Sequence, residues 1–472
     1  MTPPGCGFSA ARPTTGRAGA GRWSARISNR APTGRKAAGR SGDALAPYYS
    51  RAAQTCELGP ARFDDLAFWR AQPGGEAAAA LAFDPGRLRT SVIQISKPTR
   101  FGEAYGDEAR GAANIRVIAN AALRELVPAA ETRPETARKR IAGAEIQSNA
   151  GHRFSIHARR IVLAAGGLET PRLMLLSQRV HPAGAGNERG LVGRYFMDHI
   201  WIPHAAYLQF AQEGVDLPFY FDELEAAGAR LFSVLTPNAE NARREGLGGF
   251  RLWLRPSRRA TPGADALREI AADFGDRRFP DDFGRHLGAM LTDFGSVADV
   301  AYKTLFGRKT SPFINNDPDA PIRGAYVDLN LEQRPNADSR ITLDDARDGF
   351  GQRRIRLDWR LSEDDWRTAL GACRLVAEEA GRIGLGRVRI ALDGGGPSWP
   401  DETTGSRHHM GATRMSDDPR NGVVDSNLRV HTTDNLYIAS SSVFPTSGYA
   451  NPTLTIVALA HRLADHLKAT TP

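Results

Sequence analysis

Two histidines, His408 and His409, stand beside a glycine turn in the stretch HHMGATRM, and Asn451-Pro452 follows a loop of small residues further on. An imidazole has an ordinary pKa of about 6.5, so it can take a hydroxyl proton at neutral pH. A carboxamide can hydrogen-bond the oxygen that loses that proton. Leu454, Val457, Ala458, Leu463 and Leu467 recur at helical spacing after Pro452. Asn451 reads as the cap of that helix and Pro452 as its first residue, where a missing N–H costs nothing. The helix start then carries partial positive charge, suited to an anionic group. One segment would thus supply a base, an orienting amide and an electrostatic stabiliser. The competing reading is an ordinary capped helix with a satisfied histidine nearby. If the pair is extended, His408 and His409 point to opposite sides.

The elements that must position these groups are legible around them. Leu436-Tyr437-Ile438-Ala439 reads as a short strand running into the small-residue loop, and VVDSNLRV precedes it. Upstream, Ile161-Val162-Leu163-Ala164-Ala165 reads as a buried strand that runs into Gly166-Gly167 and then the helix RLMLLSQ. Strand, paired glycines and helix allow close backbone approach to a ligand. A tight strand-to-helix turn without a ligand fits the same residues.

These segments resemble the glucose–methanol–choline (GMC) oxidoreductase family. The match runs from Gly405 to Leu467: a His-x-x-Gly turn, VVD…RV, NLY with small residues, FPT, and Asn-Pro-x-x-Thr heading the last helix. The stretch from Gly166 to Ser177 resembles the family's second signature, and Leu191–His199 and Glu332–Asn336 extend the likeness. The resemblance implies a flavoenzyme that oxidises the CH–OH group of a sugar, polyol or other alcohol by hydride transfer to FAD. Protein side chains offer no hydride acceptor of their own. It implies His408, rather than His409, as the base, with Asn451 beside it. It implies cofactor contacts at Val117, Ala165, Gly166, Gly167, Ser441, Asn451, Pro452 and Thr453. The electron acceptor stays open among oxygen, a quinone and a partner subunit. A hydrolase using His408 is disfavoured because the chain has no G-x-S-x-G elbow.

The expected fold class is mixed α/β (α+β): an incomplete Rossmann-like FAD-binding domain and a substrate domain with an antiparallel sheet and helices. The expected division is a disordered basic tail at 1–43, part of the FAD domain at 44–200, the substrate domain at 201–404, and a return to the FAD domain at 405–472. Family members open on a strand, a glycine-rich turn and a helix that hold the FAD diphosphate. Gly16, Gly19 and Gly21 in GRAGAG have the wrong spacing for that turn, and no apolar strand precedes them. The chain therefore resembles a member whose first half-domain is missing or replaced. The alternative expectation is a non-catalytic or truncated member unable to hold FAD.

Within 44–200, PYYSRAAQTCEL reads as a helix, SVIQIS as a strand and Asn114–Ala119 as a β-rich stretch. In IRLDWRL, Ile355, Leu357, Trp359 and Leu361 would share one strand face. Ser362 with Asp365 starts a helix whose apolar face holds Trp366, Leu370, Cys373 and Ala377. Residues 201–330, with FRLWLRP and FYFDELEA, carry no readable code for a substrate.

Composition removes other classes. Of the net charge of +9, residues 1–43 carry +7, from eight Arg and Lys against Asp43, so a nucleic-acid footprint is confined to one tail and no nucleic-acid partner is expected. Cys6, Cys56 and Cys373 form neither a disulfide framework nor a zinc set. Asp198-His199 cannot easily converge on one ion, and no metal is expected. No apolar run is long enough to span a bilayer and no secretory core opens the chain, which gives a cytoplasmic expectation with the periplasm left open.

Overall fold

A computed structural model of the chain describes residues 19–20, 41–97, 99–130, 138–212, 214–257, 262–275, 278–280, 282–295, 297–298, 301–302, 322–392 and 396–470. Most of the basic tail expected at 1–43 lies outside the described residues.

One of the two main cores is built on an antiparallel sheet. Its strands run side by side in the order Leu88–Ile95, Ala229–Pro237, Phe250–Ser257, Gly324–Leu331, Ile200–Phe210 and Gly386–Ile390. Alternation along the strands sorts their side chains between two faces. Leu252, Ile200, Ile202, Val327 and Leu329 pack into the core that also holds Trp366, Ala369, Cys373, Val376 and Ala380 of the helix Glu363–Arg382. That helix begins on the expected capping box: Asp365 N–H donates to Ser362 Oγ at 3.3 Å, and Ser362 N–H donates to Asp365 Oδ2 at 2.8 Å. Trp201, Arg251, Trp253, Arg255 and Asp328 fall on the opposite face, where they line a cavity. The strand Leu88–Ile95 joins this sheet, although it belongs in sequence to the 44–200 segment.

The second core joins the two ends of the chain. The helix Ser41–Thr55 lays Leu45, Tyr49, Ala52 and Ala53 against the C-terminal helix Thr453–Ala469, which contributes Leu454, Ala458, Leu459 and Leu463. Tyr49 Oη and Thr455 Oγ1 lie 3.0 Å apart in this contact. A three-stranded antiparallel sheet (Ala121–Pro128, Ile141–Ser148, Arg153–His157) packs beside it. Ile161–Leu163 pairs in parallel with Leu436–Ile438, strand beside strand in register. The fold is mixed α/β, as expected. No helix of the described residues is long and apolar enough to cross a membrane.

Three local expectations differ. Asn114–Ala119 forms no strand; the chain there is irregular, and strand begins only at Ala121. Its β-branched residues lack a neighbouring edge to pair with, and Ile115, Val117 and Ile118 stand exposed. The strand at Ile161 is only three residues long and Val162 is exposed rather than buried. Leu357 is also exposed; among the described residues its hairpin partner is the only strand flanking Arg353–Asp358.

Candidate active site

The segment after His409 is threaded between two others. Met410 and Met197 exchange backbone hydrogen bonds of 2.8 and 2.9 Å, and the N–H groups of Gly411, Thr413 and Met415 donate to the carbonyls of Ser441, Ser442 and Val443. Ser441 Oγ donates to the His409 carbonyl at 2.7 Å. The histidine pair is thereby fixed to the strand-and-loop unit that leads into the C-terminal helix.

Asp198 holds the turn just before it. Its buried carboxylate accepts from His408 N–H at 2.7 Å and from Arg407 N–H at 3.0 Å, and also from the N–H of His199. Arg407 has φ +62°, a left-handed conformation unusual for a side-chain-bearing residue. The carboxylate offsets that strain by gathering the flanking N–H groups. Burial raises the Asp198 pKa, and the hydrogen bonds from the backbone of His408, His199 and Arg407 oppose the rise.

The two histidines part company at their rings. His409 leans on Phe196, and its Nε2 lies 4.0 Å from Asp198 Oδ2. His408 turns toward Asn451, with its Nε2 3.4 Å from Asn451 Nδ2, and sets its Nδ1 2.9 Å from Nδ1 of the fully buried His199. Arg251 Nη1 donates to Asn451 Oδ1 at 2.6 Å. The network assigns the protons, because a guanidinium can only donate. With Oδ1 taken, Asn451 offers its N–H to His408 Nε2. His408 then carries its proton on Nδ1 and donates it to His199. His199 keeps its own proton on Nε2, which faces the Ser447 carbonyl at 3.4 Å. His408 Nε2 is therefore a lone pair, flanked by an amide donor. Burial and the charge of Arg251 push the His408 pKa down to about 4. His199 is lowered well below its ordinary value by burial and by His408.

Asn451 thus spends its side chain on Arg251 and His408 instead of capping a helix. Pro452, at φ −75° and ψ −18°, occupies the cap position and Thr453 starts the helix, one residue later than expected. The glycine pair meets the histidines directly. A methyl group on Gly167 would lie 2.1 Å from the His409 carbonyl oxygen. Gly167→Ala should therefore displace His409 and destabilise the fold by about 1–3 kcal/mol, read as a lower melting temperature. Ala165 and Gly166 are exposed beside it. Gly166 has φ +79° with open space where a Cβ would stand, and no side chain caps the helix Gly166–Leu176. Of the residues singled out in sequence, His408, Asn451, Gly167 and Ser441 are joined through the contacts above. Val117 is 57 % exposed on its irregular segment, and no hydrogen bond joins it to that group.

Sequence reasoning missed Arg251 and the roles of Asp198 and His199. Arg251 was visible as the first polar position of FRLWLRP, whose R-L-W-L-R alternation marks a strand with cations and an aromatic ring on one face. That face lines a cavity of about 790 Å³ reaching Asn451, within the usual range for a small-molecule site. Its walls include Trp201 and Trp253, whose rings meet edge to face at 5.1 Å. A cavity of about 300 Å³ between Leu175 and Arg353 contains none of these groups.

The sequence model of the GMC oxidoreductase family matches residues 102–201 with its N-terminal part and residues 335–460 with its C-terminal part. The chain is 28% identical over 330 residues to a 2-methyl-1,2-propanediol dehydrogenase of Mycolicibacterium austroafricanum, covering 68% of this chain and 50% of that one. It is 26% identical over 313 residues to the fructose dehydrogenase large subunit of Gluconobacter japonicus, covering 65% and 47%. The chain spans about half the length of these curated relatives. The solved pyridoxine 4-oxidase of Mesorbium loti aligns over 91% of this chain and 70% of its own at 16% identity, with a TM-score of 0.45. The two family segments contain His408, the paired glycines and the Met197–Met410 lacing, and the chain belongs to the GMC oxidoreductase family.

Proposed function

We propose that this chain carries the catalytic face of an FAD-dependent oxidoreductase acting on CH–OH donors, with His408 as base. The observation that carries the reading is the unprotonated Nε2 of His408, which accepts from Asn451, a residue that also lines the roomy cavity.

The residues present fit a flavin. Ala164, Ala165 and Gly166 leave an exposed, side-chain-poor surface, and an uncapped helix start adjoins it. Ala165, Gly166, Gly167, Ser441, Asn451, Pro452 and Thr453 would line the cofactor; Val117 is retained as a contact on the family resemblance alone. When bound, FAD supplies the two-electron acceptor that no side chain provides. The chain's own groups do the rest. An alcohol hydroxyl in the cavity donates its proton to His408 Nε2, while its oxygen accepts from Asn451 Nδ2. Arg251 holds the Asn451 amide in the orientation this requires. The Nδ1–H of the resulting imidazolium stays bonded to His199, which fixes the ring plane. Trp201, Phe232 and Trp253 give the cavity an apolar wall beside its charged groups. A quinone or a separate acceptor subunit would reoxidise the cofactor, a proposal prompted by the "large subunit" in one relative's name.

The test is direct. Protein incubated with FAD and freed of excess should be yellow, with a flavin absorption band, and should reduce an artificial acceptor when given alcohols. Colourless protein would sink the reading. A second outcome concerns pH. Only neutral His408 accepts a proton, so kcat/KM with an uncharged alcohol should fall as pH drops through about 4. An acid limb near the ordinary histidine value would remove His408 as the base.

A further inference from the structure

Arg251 is a cation without a counter-charge. It is 4% exposed, and its Nε is fully buried with no hydrogen-bond partner among the described residues. Its Nη1 meets only the neutral Asn451. Its guanidinium carbon lies 4.5 Å from the centre of the Trp253 ring, which fixes the fork in place without neutralising it. The carboxylates nearby are committed elsewhere. Asp328 pairs with Arg255 at 2.5 Å and accepts from His204 N–H, Glu223 pairs with Arg230, and Asp222 is exposed at the cavity rim. Burying an unpaired guanidinium costs several kcal/mol. A fold carries that cost where the partner arrives from outside, and the same side chain lines the cavity.

We propose that Arg251 is a carboxylate-binding residue, and that the substrates oxidised here are 2- or 3-hydroxy acids held with their anion on its guanidinium and their hydroxyl at His408. This rests on the alcohol-oxidising reading of the site and narrows it. The spacing follows from the contacts. One carboxamide, that of Asn451, separates the guanidinium from His408 Nε2, which leaves room for one or two carbons between carboxylate and hydroxyl. Guanidinium and carboxylate match geometrically as a two-point fork. Trp201 and Trp253 offer apolar faces to the remainder of the molecule. In the step itself the C–H bond of the CH–OH carbon breaks and its electron pair leaves with the hydrogen to the flavin. The O–H proton passes to His408 Nε2, C=O forms, and the carboxylate stays unchanged, so a hydroxy acid becomes an oxo acid. Burial is the main cause of the lowered His408 pKa and the Arg251 charge adds to it; the anion offsets that second part, so the substrate itself makes the base stronger.

Matched pairs test this in FAD-loaded protein: lactate against 1,2-propanediol, and gluconate against glucitol. The acids are expected to exceed their uncharged partners in kcat/KM by about 100-fold, the yield of a charge-assisted pair of hydrogen bonds. Arg251→Met should erase that preference. A readout independent of turnover is the melting temperature with gluconate against glucitol at equal ionic strength. Gluconate should raise it in the wild type and leave Arg251→Met unmoved, while Arg251→Met alone should melt no lower than wild type because a buried charge is gone. If Arg251→Met fails to fold, Arg251→Gln serves the same comparison. Equal shifts by gluconate and glucitol, or a gluconate shift that survives the substitution, would overturn the proposal. Absence of turnover with every alcohol would defeat the oxidation reading, and the gluconate shift would still decide the anion site.

Discussion

Replacing His408 with alanine is expected to lower kcat of the FAD-loaded protein by about 10²–10⁴-fold, the usual contribution of a positioned general base. The bound flavin spectrum should be unchanged, because the Ala165–Gly167 surface and Ser441 do not depend on the imidazole. The geometry argues for a loss in kcat. His408 Nε2 holds a lone pair beside Asn451 Nδ2, and His199 braces the opposite ring nitrogen at 2.9 Å. His409→Ala supplies the control. That ring faces Phe196 and Asp198, so its removal should cost far less activity. Turnover retained by His408→Ala, or lost equally in both variants, would refute the assignment. His408 also sets a stability trend. Its pKa of about 4 in the fold lies below the unfolded value near 6.5, so its contribution is complete above the unfolded value and is lost as pH falls from there toward 4. His199, lowered for the same reason, adds to that loss.

The sequence disclosed the parts of the site carried by local chemistry. The capping box at Ser362 and the histidine turn each depend on residues a few positions apart and form where expected, whereas the paired glycines, read as preceding a helix, are its first two residues. What stayed hidden depends on residues far apart. Arg251 reaches Asn451 across 200 positions, and His199 reaches His408 across 209. Only the packing of the sheet against the C-terminal segment brings them together. The helix cap was misplaced for a related reason. Asn451 has the right chemistry to cap a helix, but a guanidinium two hundred residues away competes for the same oxygen, and a charge-assisted hydrogen bond is the stronger. Asn114–Ala119 failed as a strand because β-rich composition needs a neighbouring edge, which this stretch lacks.

A loss of the Asp198 carboxylate is expected to be the most damaging single change to the site's architecture. Asp198→Ala would leave the N–H groups of His199, Arg407 and His408 without their acceptor, two of them at 2.7 Å and one at 3.0 Å. Hydrogen bonds to a charged group contribute about 1.5–3 kcal/mol each, and water entering the vacated space would recover part of that, so a loss of about 3–5 kcal/mol is expected. Arg407 at φ +62° would then be free to relax to an ordinary conformation, turning His408 away from Asn451. Stability and activity should therefore fall together. Asp198→Asn separates the two contributions. Its oxygen can still serve His199 and His408, but its amide group would set a donor against the Arg407 N–H. Denaturant unfolding should rank wild type above Asn above Ala, with kcat following the same order. An alanine variant that unfolds like the wild type would show that the turn holds itself, and the strain at Arg407 would need another cause.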